Sequence, residues 1–444
     1  MDFALVDRIL QASQHEGVSR RHPGRLDRMR AFLDLLGNPE RAFPSIHVGG
    51  TAGKGSTASM SAAILTAAGF KVGLHTKPHL RSVTERARIG QRTITEERFA
   101  QVMESMLPAI DSMEETQWGR PSYFELLVAL TFRYFEQEQV DIAVVEVGIG
   151  GKLDGTNVLA PLVSVLTNVG LDHTEVLGTT IESIATDKAG IIKPHTPVVT
   201  AAEHPDAIRV IVEAAARTGV PLVRVQEAAV IEPLPGRIAY SEALRVTTAR
   251  RRYDITMPLM GDFQMLNAAT AIVAGEQIEE RFAISAAGVA TALSDLALPG
   301  RMEFYPSRPS LLFDVAHNAA KAAALGAALR RHFGDRRFAF VVAIAESKDA
   351  DAMIETWAEL PAQFIFTAFD VSHRSAMQPH MLANIAASKG LTSRAVSDPV
   401  EALSVARRVA GADDLVVVTG STFLVATLRD WFLENAGAQW HAQV

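Results

Sequence analysis

The run His47-Val48-Gly49-Gly50-Thr51-Ala52-Gly53-Lys54-Gly55-Ser56-Thr57 carries the strongest chemical signal in the chain. An apolar stretch leads into closely spaced glycines, and a helical pattern follows. Glycine lets the main chain approach an anion closely, and successive inward N–H groups bind phosphate oxygens. The start of the helix adds partial positive charge. Gly50, Thr51, Gly53 and Gly55 would line such a cradle. Lys54 would neutralise the terminal phosphates, and Ser56 or Thr57 would offer a hydroxyl to magnesium. The spacing departs from the general phosphate-loop pattern, because Gly55 separates Lys54 from Ser56 and no glycine lies five residues before Gly53.

Further along, Asp141–Val147 reads as a buried strand that brings Glu146 to its end. A second strand beside a phosphate loop is where such enzymes keep a magnesium-binding carboxylate. His173, in Thr167-Asn168-Val169-Gly170-Leu171-Asp172-His173, also follows a strand and is a candidate imidazole ligand. Lys188 sits near the end of a helical pattern. By charge alone it would favour the negative carboxyl end of that helix.

These residues need rigid elements to hold them. Short apolar runs alternate with longer helical patterns through most of the 444 residues. That rhythm predicts βαβ units on a mostly parallel sheet. Strands are expected at Ile46–Gly49, Val72–Thr76, Ile142–Val147, Leu162–Leu166 and Val198–Ala201. Helices are expected at Leu26–Leu36, Ser56–Ala68, Glu96–Ile110 and Tyr123–Glu138. Residues 222 to 258 alternate in character and predict short antiparallel strands at the sheet margin. Helical patterns follow at Gln264–Glu279 and Ser285–Leu296. Leu298-Pro299-Gly300-Arg301 breaks the last of these. A second α/β series then runs from Leu311 through Thr419. The fold class is therefore α/β in two domains, residues 1–296 and 297–444, and a site between them is expected beyond the carboxyl ends of the strands.

Composition narrows the chemistry. There are no cysteines, which excludes disulfides, thiolate catalysis and Cys-ligated zinc. A net charge of -7 argues against a nucleic-acid partner. No apolar stretch is long enough to suggest a membrane span. The opening Met1-Asp2-Phe3 has no leader-like pattern, so a cytoplasmic protein is expected.

In order, the phosphate loop, Thr76-Lys77-Pro78-His79-Leu80, Thr84-Glu85-Arg86, Glu146–Asn157, Asp172-His173, Asp187-Lys188-Ala189-Gly190, Gln264–Ala268, Pro299-Gly300-Arg301 and Asp314–Asn318 resemble the folylpolyglutamate synthase/dihydrofolate synthase family of the Mur ligase superfamily. The resemblance runs from about residue 20 to the last helix. It implies a Mur-ligase-like ATP-binding domain followed by a smaller Rossmann-like domain. It gives Lys54 the phosphate role and Ser56 a magnesium role, with Glu146 and His173 as further magnesium ligands. Lys188 becomes a carbamate that helps bind a second magnesium, which reverses its reading as a helix-end cation. Asn267 falls on the adenine side and Arg301 on the ATP phosphates. Asp314 and His317 face the nucleotide and the incoming amino acid.

The implied reaction uses ATP and magnesium to join L-glutamate to dihydropteroate or a folate through an acyl-phosphate, with no nucleic-acid or membrane partner, in a monomer. A Mur-type ligase of another acid, and an ATP-binding regulator without ligase activity, are the competing readings. Three positions depart from the family pattern. Ala52 stands where Asn is usual, Lys77 where Ser is usual, and Asp187 where Glu is usual. Lys77 adds a charge to a loop associated with substrate binding.

Overall fold

The computed structural model describes residues 1–13, 24–235, 240–371 and 374–436. The chain divides into two compact units. The first comprises Met1–Pro235, Ala243–Thr256 and Gln264–Leu296, and the second Gly236–Glu242, Met257–Phe263 and Ala297–Val444. The second unit thus takes two short stretches that precede residue 297. One cause is Glu242, a buried carboxylate. It accepts from the Gly261 N–H at 2.9 Å, from His332 Nε2 at 2.8 Å and from Arg331 Nη2 at 3.0 Å.

The first unit is built on an eight-stranded sheet. Its strands are β1 (Ser45–Gly49), β2 (Val72–His75), β3 (Ala87–Ile89), β4 (Arg92–Thr93), β5 (Ile142–Glu146), β6 (Val163–Leu166), β7 (Val198–Thr200) and β8 (Leu222–Arg224). The spatial order is β4-β3-β2-β5-β1-β6-β7-β8. Strands β2, β5, β1, β6, β7 and β8 run parallel, and β3 and β4 add an antiparallel edge. Every residue of β1, β5 and β6 is buried, as expected for central parallel strands covered on both faces. Their near-continuous apolar runs are the sequence form of that burial. One covering layer includes Phe99, Phe132 and Phe135, and the other includes Ile184, Ile191 and Ile211.

The buried pair Arg28–Glu125 locks the first layer. Arg28 Nε donates to Oε2 at 2.8 Å and Nη2 to Oε1 at 3.1 Å. Glu125 also accepts the Ser122 N–H at 2.8 Å, closing a capping box on the helix Tyr123–Gln137.

The stretch from 222 to 258 corrects the sequence expectation. Only β8 joins the main sheet, and it does so in parallel. Strands β9 (Ala229–Pro233), β10 (Glu242–Thr248) and β11 (Arg252–Met257) form a separate three-stranded sheet, with β10 antiparallel to β9. Burial alternates along β10 and β11, so one face is packed and the other wet. Alternation reveals such a face but not which sheet owns it.

The second unit holds a six-stranded sheet in the order β12-β13-β17-β14-β15-β16. These strands are β12 (Glu303–Tyr305), β13 (Ser310–Phe313), β14 (Phe338–Val342), β15 (Ala362–Phe366), β16 (Ser393–Ala395) and β17 (Leu415–Thr419). All pairings except β12–β13 are parallel. Phe340, Trp357 and Phe364 fill one face and Val418, Leu424 and Leu428 the other. The three-residue strands β12 and β16 and the helices Ala350–Glu355 and Pro379–Ser388 carry too few periods to be anticipated from pattern. Among the described residues no helix is long and apolar enough to cross a membrane.

Candidate active site: a phosphate loop and its neighbours

Strand β1 ends at Gly49, and the chain turns through Gly50 to Gly53 into the helix Lys54–Ala67. Gly50 has φ 135° and Gly53 φ 80°, a region L side chains rarely enter. A Cβ on Gly50 would collide with Thr167 Oγ1, and one on Gly53 with Asn267 Oδ1. The loop is braced by the segment after β6. The Thr51 N–H donates to Asn168 O at 2.8 Å, the Ala52 N–H to Asn168 Oδ1 at 2.8 Å, and Thr167 Oγ1 to Ala52 O at 2.6 Å. Ala52 lacks the usual side-chain amide, and the amide of Asn168 supports the loop at that residue. No side chain caps the helix at Gly53. Its first N–H groups are arranged to meet an external anion.

Lys54 folds over its own loop, with Nζ 3.0 Å from Gly50 O and 3.2 Å from Thr51 O. Ser56 and Thr57 are buried in the first turn of the helix. Thr57 Oγ1 donates to Asn267 Oδ1 at 3.4 Å, and Asn267 Nδ2 donates to Gln264 Oε1 at 3.0 Å. Asn267 therefore packs against the phosphate loop and helix, within the first unit.

Glu146 closes β5, beside β1, with Val48 as its register partner. It is buried, and Oε2 accepts the Lys77 N–H at 3.0 Å. Asp154 lies in the loop beyond, where Oδ1 accepts from the Thr156 N–H at 3.0 Å and Oδ2 from the Ile149 N–H at 2.9 Å. Beneath this loop, His47 Nε2 meets Thr156 Oγ1 at 2.8 Å, and Thr156 Oγ1 donates to Asp154 Oδ1 at 2.6 Å. Burial, reinforced by Lys193 and His75, lowers the His47 pKa to about 3 and keeps the ring neutral.

His173 adopts φ 52° at the start of the short helix Thr174–Leu177, with Nδ1 3.6 Å from Glu175 Oε1. Three residues earlier, Gly170 O accepts from Thr51 Oγ1 at 3.1 Å, so this segment abuts the phosphate loop. Among the described residues, no three His, Asp or Glu side chains converge as a ready-made metal cage. Magnesium commonly binds with one or two carboxylates and takes its other oxygens from phosphates and water. The hydroxyl of Ser56 and the buried carboxylate of Glu146 are hard oxygen donors that fit that pattern.

Lys188 is the last residue of the helix Ile181–Lys188, yet its ammonium does not serve that helix end alone. It crosses to Gly50 O at 2.8 Å and is buried. Burial first, then Lys54 and Lys77, lower its pKa to about 7, against Asp187 and Asp172. Close packing holds it there, since a Cβ on Gly151 would lie 2.8 Å from the carbonyl oxygens of Asp187 and Lys188. The helix-end reading from charge alone is thereby displaced. Sequence reasoning gave Thr167 and Asn168 no role. Their position just past β6, level with the ends of β1 and β5, is the signal that would have found them.

In the second unit, Asp314 follows β13 and is half-buried. Oδ2 accepts the Met302 N–H at 3.0 Å and Oδ1 the Ala316 N–H at 2.9 Å. Burial raises its pKa to about 6, opposed by those N–H groups and by Arg301 and Lys321. Arg301 Nη1 donates to Pro299 O at 3.4 Å. The Gly300 N–H donates to Glu303 Oε2 at 2.8 Å, and Arg429 grips the same carboxylate at 2.7 and 2.9 Å. His317 Nδ1 lies 2.8 Å from Val315 O, and Lys321 Nζ 3.1 Å from Nε2. An ammonium only donates, so Nε2 is the acceptor and the ring proton sits on Nδ1. Lys321 is a neighbour that the sequence reading did not name.

A glycine loop under a parallel sheet, followed by a second α/β unit, defines the class. Residues 48–275 match the Mur ligase middle domain, and residues 300–422 match the Mur ligase glutamate ligase domain. The Bacillus subtilis dihydrofolate synthase/folylpolyglutamate synthase is 33% identical over 414 residues, covering 92% of this chain and 94% of that one. A Mycobacterium tuberculosis folylpolyglutamate synthase complexed with ADP superimposes with a TM-score of 0.89 at 30% identity, over 97% of this chain and 98% of that one. E. coli FolC in complex with DHPP and ADP gives a TM-score of 0.85 at 25% identity over 98% of each chain. The chain belongs to the folylpolyglutamate synthase/dihydrofolate synthase family of ligases.

Proposed function

We propose that the chain phosphorylates the carboxylate of a pterin acid with ATP and joins that acid to L-glutamate. The observation that carries the reading is the convergence of Lys54 and Lys188 on the Gly50 carbonyl, with Glu146 at the adjacent strand end. A carboxylate is a poor acyl donor at neutral pH. Transfer of the γ-phosphoryl group supplies a leaving group. The acceptor oxygen forms a bond to phosphorus as the bond to ADP breaks. Lys54 and the open helix end stabilise the charge in transit, and Arg301 is assigned to the same phosphates. The glutamate amine then attacks the acyl carbon, and phosphate departs.

Ser56, Glu146 and His173 are the magnesium-holding residues in this reading, with Lys188 helping to hold a second ion. Magnesium would screen the phosphate charges. A neutral Lys188 amine can add carbon dioxide, and its lowered pKa supports that step. The resulting carbamate is an anion suited to a second cation. For deprotonating the glutamate amine, Asp314 is the better candidate. Its pKa is raised to about 6, whereas the acceptor nitrogen of His317 already holds Lys321. The competing Mur-type ligase of another acid would use the same machinery. We further propose a monomer that works in the cytoplasm.

The testing experiment is phosphate release from the purified protein with ATP, magnesium and bicarbonate. Dihydropteroate and tetrahydrofolate are each paired with a panel of amino acids. Release that needs both a pterin acid and glutamate is expected. Release with only a non-pterin acid would transfer the chain to another substrate, and nucleotide binding without dependent release would mark a regulator.

A further inference from the structure

We propose that Glu303 and Arg429 are positioning residues for Arg301: the pair holds the turn that carries it and keeps its guanidinium open for the γ-phosphate of ATP. The proposal rests on the ligase reading above, in which Arg301 meets the nucleotide's phosphates. Pro299 and Gly300 take the two central places of a turn that the Arg301 N–H closes on Leu298 O at 3.1 Å. The main chain on either side is tied down. Gly300 O accepts the Val315 N–H at 2.8 Å, the Gly300 N–H donates to Glu303 Oε2 at 2.8 Å, and the Met302 N–H donates to Asp314 Oδ2 at 3.0 Å. Met302 has φ 51°, and its side chain is buried in the core of the second unit. A residue with a side chain keeps such a φ only where its surroundings over-determine it. Arg301 therefore leaves a backbone with little freedom to re-aim it.

The carboxylate of Glu303 is saturated, with two donors on each oxygen. Oε2 accepts from the Gly300 N–H and from Arg429 Nε at 2.7 Å. Oε1 accepts from Arg429 Nη2 at 2.9 Å and from the Tyr305 hydroxyl at 2.7 Å. A forked arginine–carboxylate pair fixes both groups in one geometry. Arg429 is 17% exposed and Glu303 19%, so solvent screens the pair little. Arg429 comes from the helix Thr422–Trp431, 126 positions further along the chain. A distant element thus anchors the turn.

Arg301 is left without an acid of its own. Glu303 accepts from the N–H of the residue just before it, so a bare carboxylate there would draw the Arg301 guanidinium into an internal ion pair. Arg429 fills that carboxylate instead. Asp314, the other acid in electrostatic reach of Arg301, takes the Met302 N–H on one oxygen and the Ala316 N–H on the other. Among the described residues, Arg301 makes no close ion pair and donates only to Pro299 O, at 3.4 Å. A half-buried guanidinium on a rigid turn, with both neighbouring acids occupied, is a site for an external anion. The γ-phosphate is the anion that the ligase reading brings to it.

The test compares ADP with the non-hydrolysable analogue AMPPCP, each titrated calorimetrically with magnesium. Wild type, Arg301→Met, Arg429→Met, Glu303→Ala and Glu303→Gln are measured. The readout is the ratio of AMPPCP to ADP affinity, which a general loss of stability does not move. Arg301→Met should lower the ratio about ten- to a hundred-fold, through loss of one charge-assisted contact. Arg429→Met should lower it about ten-fold, because bare Glu303 then captures Arg301. The double variant Arg301→Met/Arg429→Met should fall no further than Arg301→Met alone. Glu303→Ala frees the Gly300 N–H and should cost about three- to ten-fold. Glu303→Gln still offers that N–H an oxygen and carries no charge to capture Arg301, so its ratio should stay within about two-fold. A wild-type ratio in Arg429→Met overturns the proposal, as does one in Glu303→Ala should Arg429→Met fail to fold. A full additional loss in the double variant, or a Glu303→Gln ratio as low as that of Glu303→Ala, also overturns it. If Arg301→Met itself keeps the wild-type ratio, the phosphate role of Arg301 fails, and this inference with it.

Discussion

The Lys188 ammonium lies 2.8 Å from the Gly50 carbonyl oxygen, tying the end of one helix to a glycine 138 positions earlier in the chain. That contact makes the lysine part of the phosphate loop. Lys188→Ala should lower kcat by about a hundred-fold or more, the usual cost of removing one charge-stabilising group from a site. Bicarbonate depletion of wild type should reproduce much of that loss. The sign of the pH effect follows from the lowered pKa of about 7. Above it the amine is neutral and takes up carbon dioxide, and below it protonation opposes the carbamate. Activity measured against added bicarbonate should therefore be more demanding at about pH 6 than at about pH 8. Equal demand at both would count against a carbamate.

Gly50 and Gly53 should tolerate no side chain. Both carry positive φ, and both would drive a Cβ into a neighbouring side-chain oxygen. Gly53→Ala should cost about 1–3 kcal/mol in stability, read by urea denaturation. It should also weaken ADP binding, because Asn267 and the helix start must shift together.

Asp314 gives a pH signature. Its folded-state pKa is raised from 3.8 to about 6 by burial. The folded state then holds a proton more tightly than the unfolded chain does. The stability this group contributes is full below about pH 4 and is lost as pH rises through about 6. Asp314→Asn should consequently remove this pH dependence of stability between about pH 4 and pH 7, on top of a constant cost because its amide nitrogen cannot accept the second backbone N–H. If the ionised carboxylate takes the amine proton, kcat/KM of wild type should fall on the acid side with a midpoint near 6, and the variant should lack that limb.

The pair Arg28–Glu125 predicts a stability cost that owes nothing to catalysis. Both side chains are buried. Arg28→Met strands a buried carboxylate and should cost about 3–5 kcal/mol. Adding Glu125→Gln should recover much of the loss, because the amide oxygen can still accept the Ser122 N–H. Denaturation midpoints of the single and double variants decide the matter.

Legibility in the sequence followed the strength of local constraint. β1, β5 and the helix after Gly53 could be read because glycines, apolar runs and a strand-end carboxylate each have a local cause. Strand β17, an unbroken apolar run that closes the second series at Thr419, has the same kind of local cause. The sheet β9–β10–β11 was misplaced, because alternation records a packed face and not the sheet it joins. Lys188 shows the deeper difficulty. Its spacing fits a helix-end cation, and only the fold brings it to Gly50. The partners of His317 were hidden in the same way. Lys321 lies four residues on, in the first turn of the helix Ala319–Phe333, and the carbonyl of Val315 completes the tautomer.

Oxygen-18 transfer tests the central claim most directly. The acid's carboxylate is labelled, the complete reaction is run with ATP and glutamate, and the released phosphate is analysed by mass. Attack by that carboxylate on phosphorus places one labelled oxygen in each phosphate formed. Phosphate carrying only unlabelled oxygen, released alongside amide product, would mean that the acid is never phosphorylated.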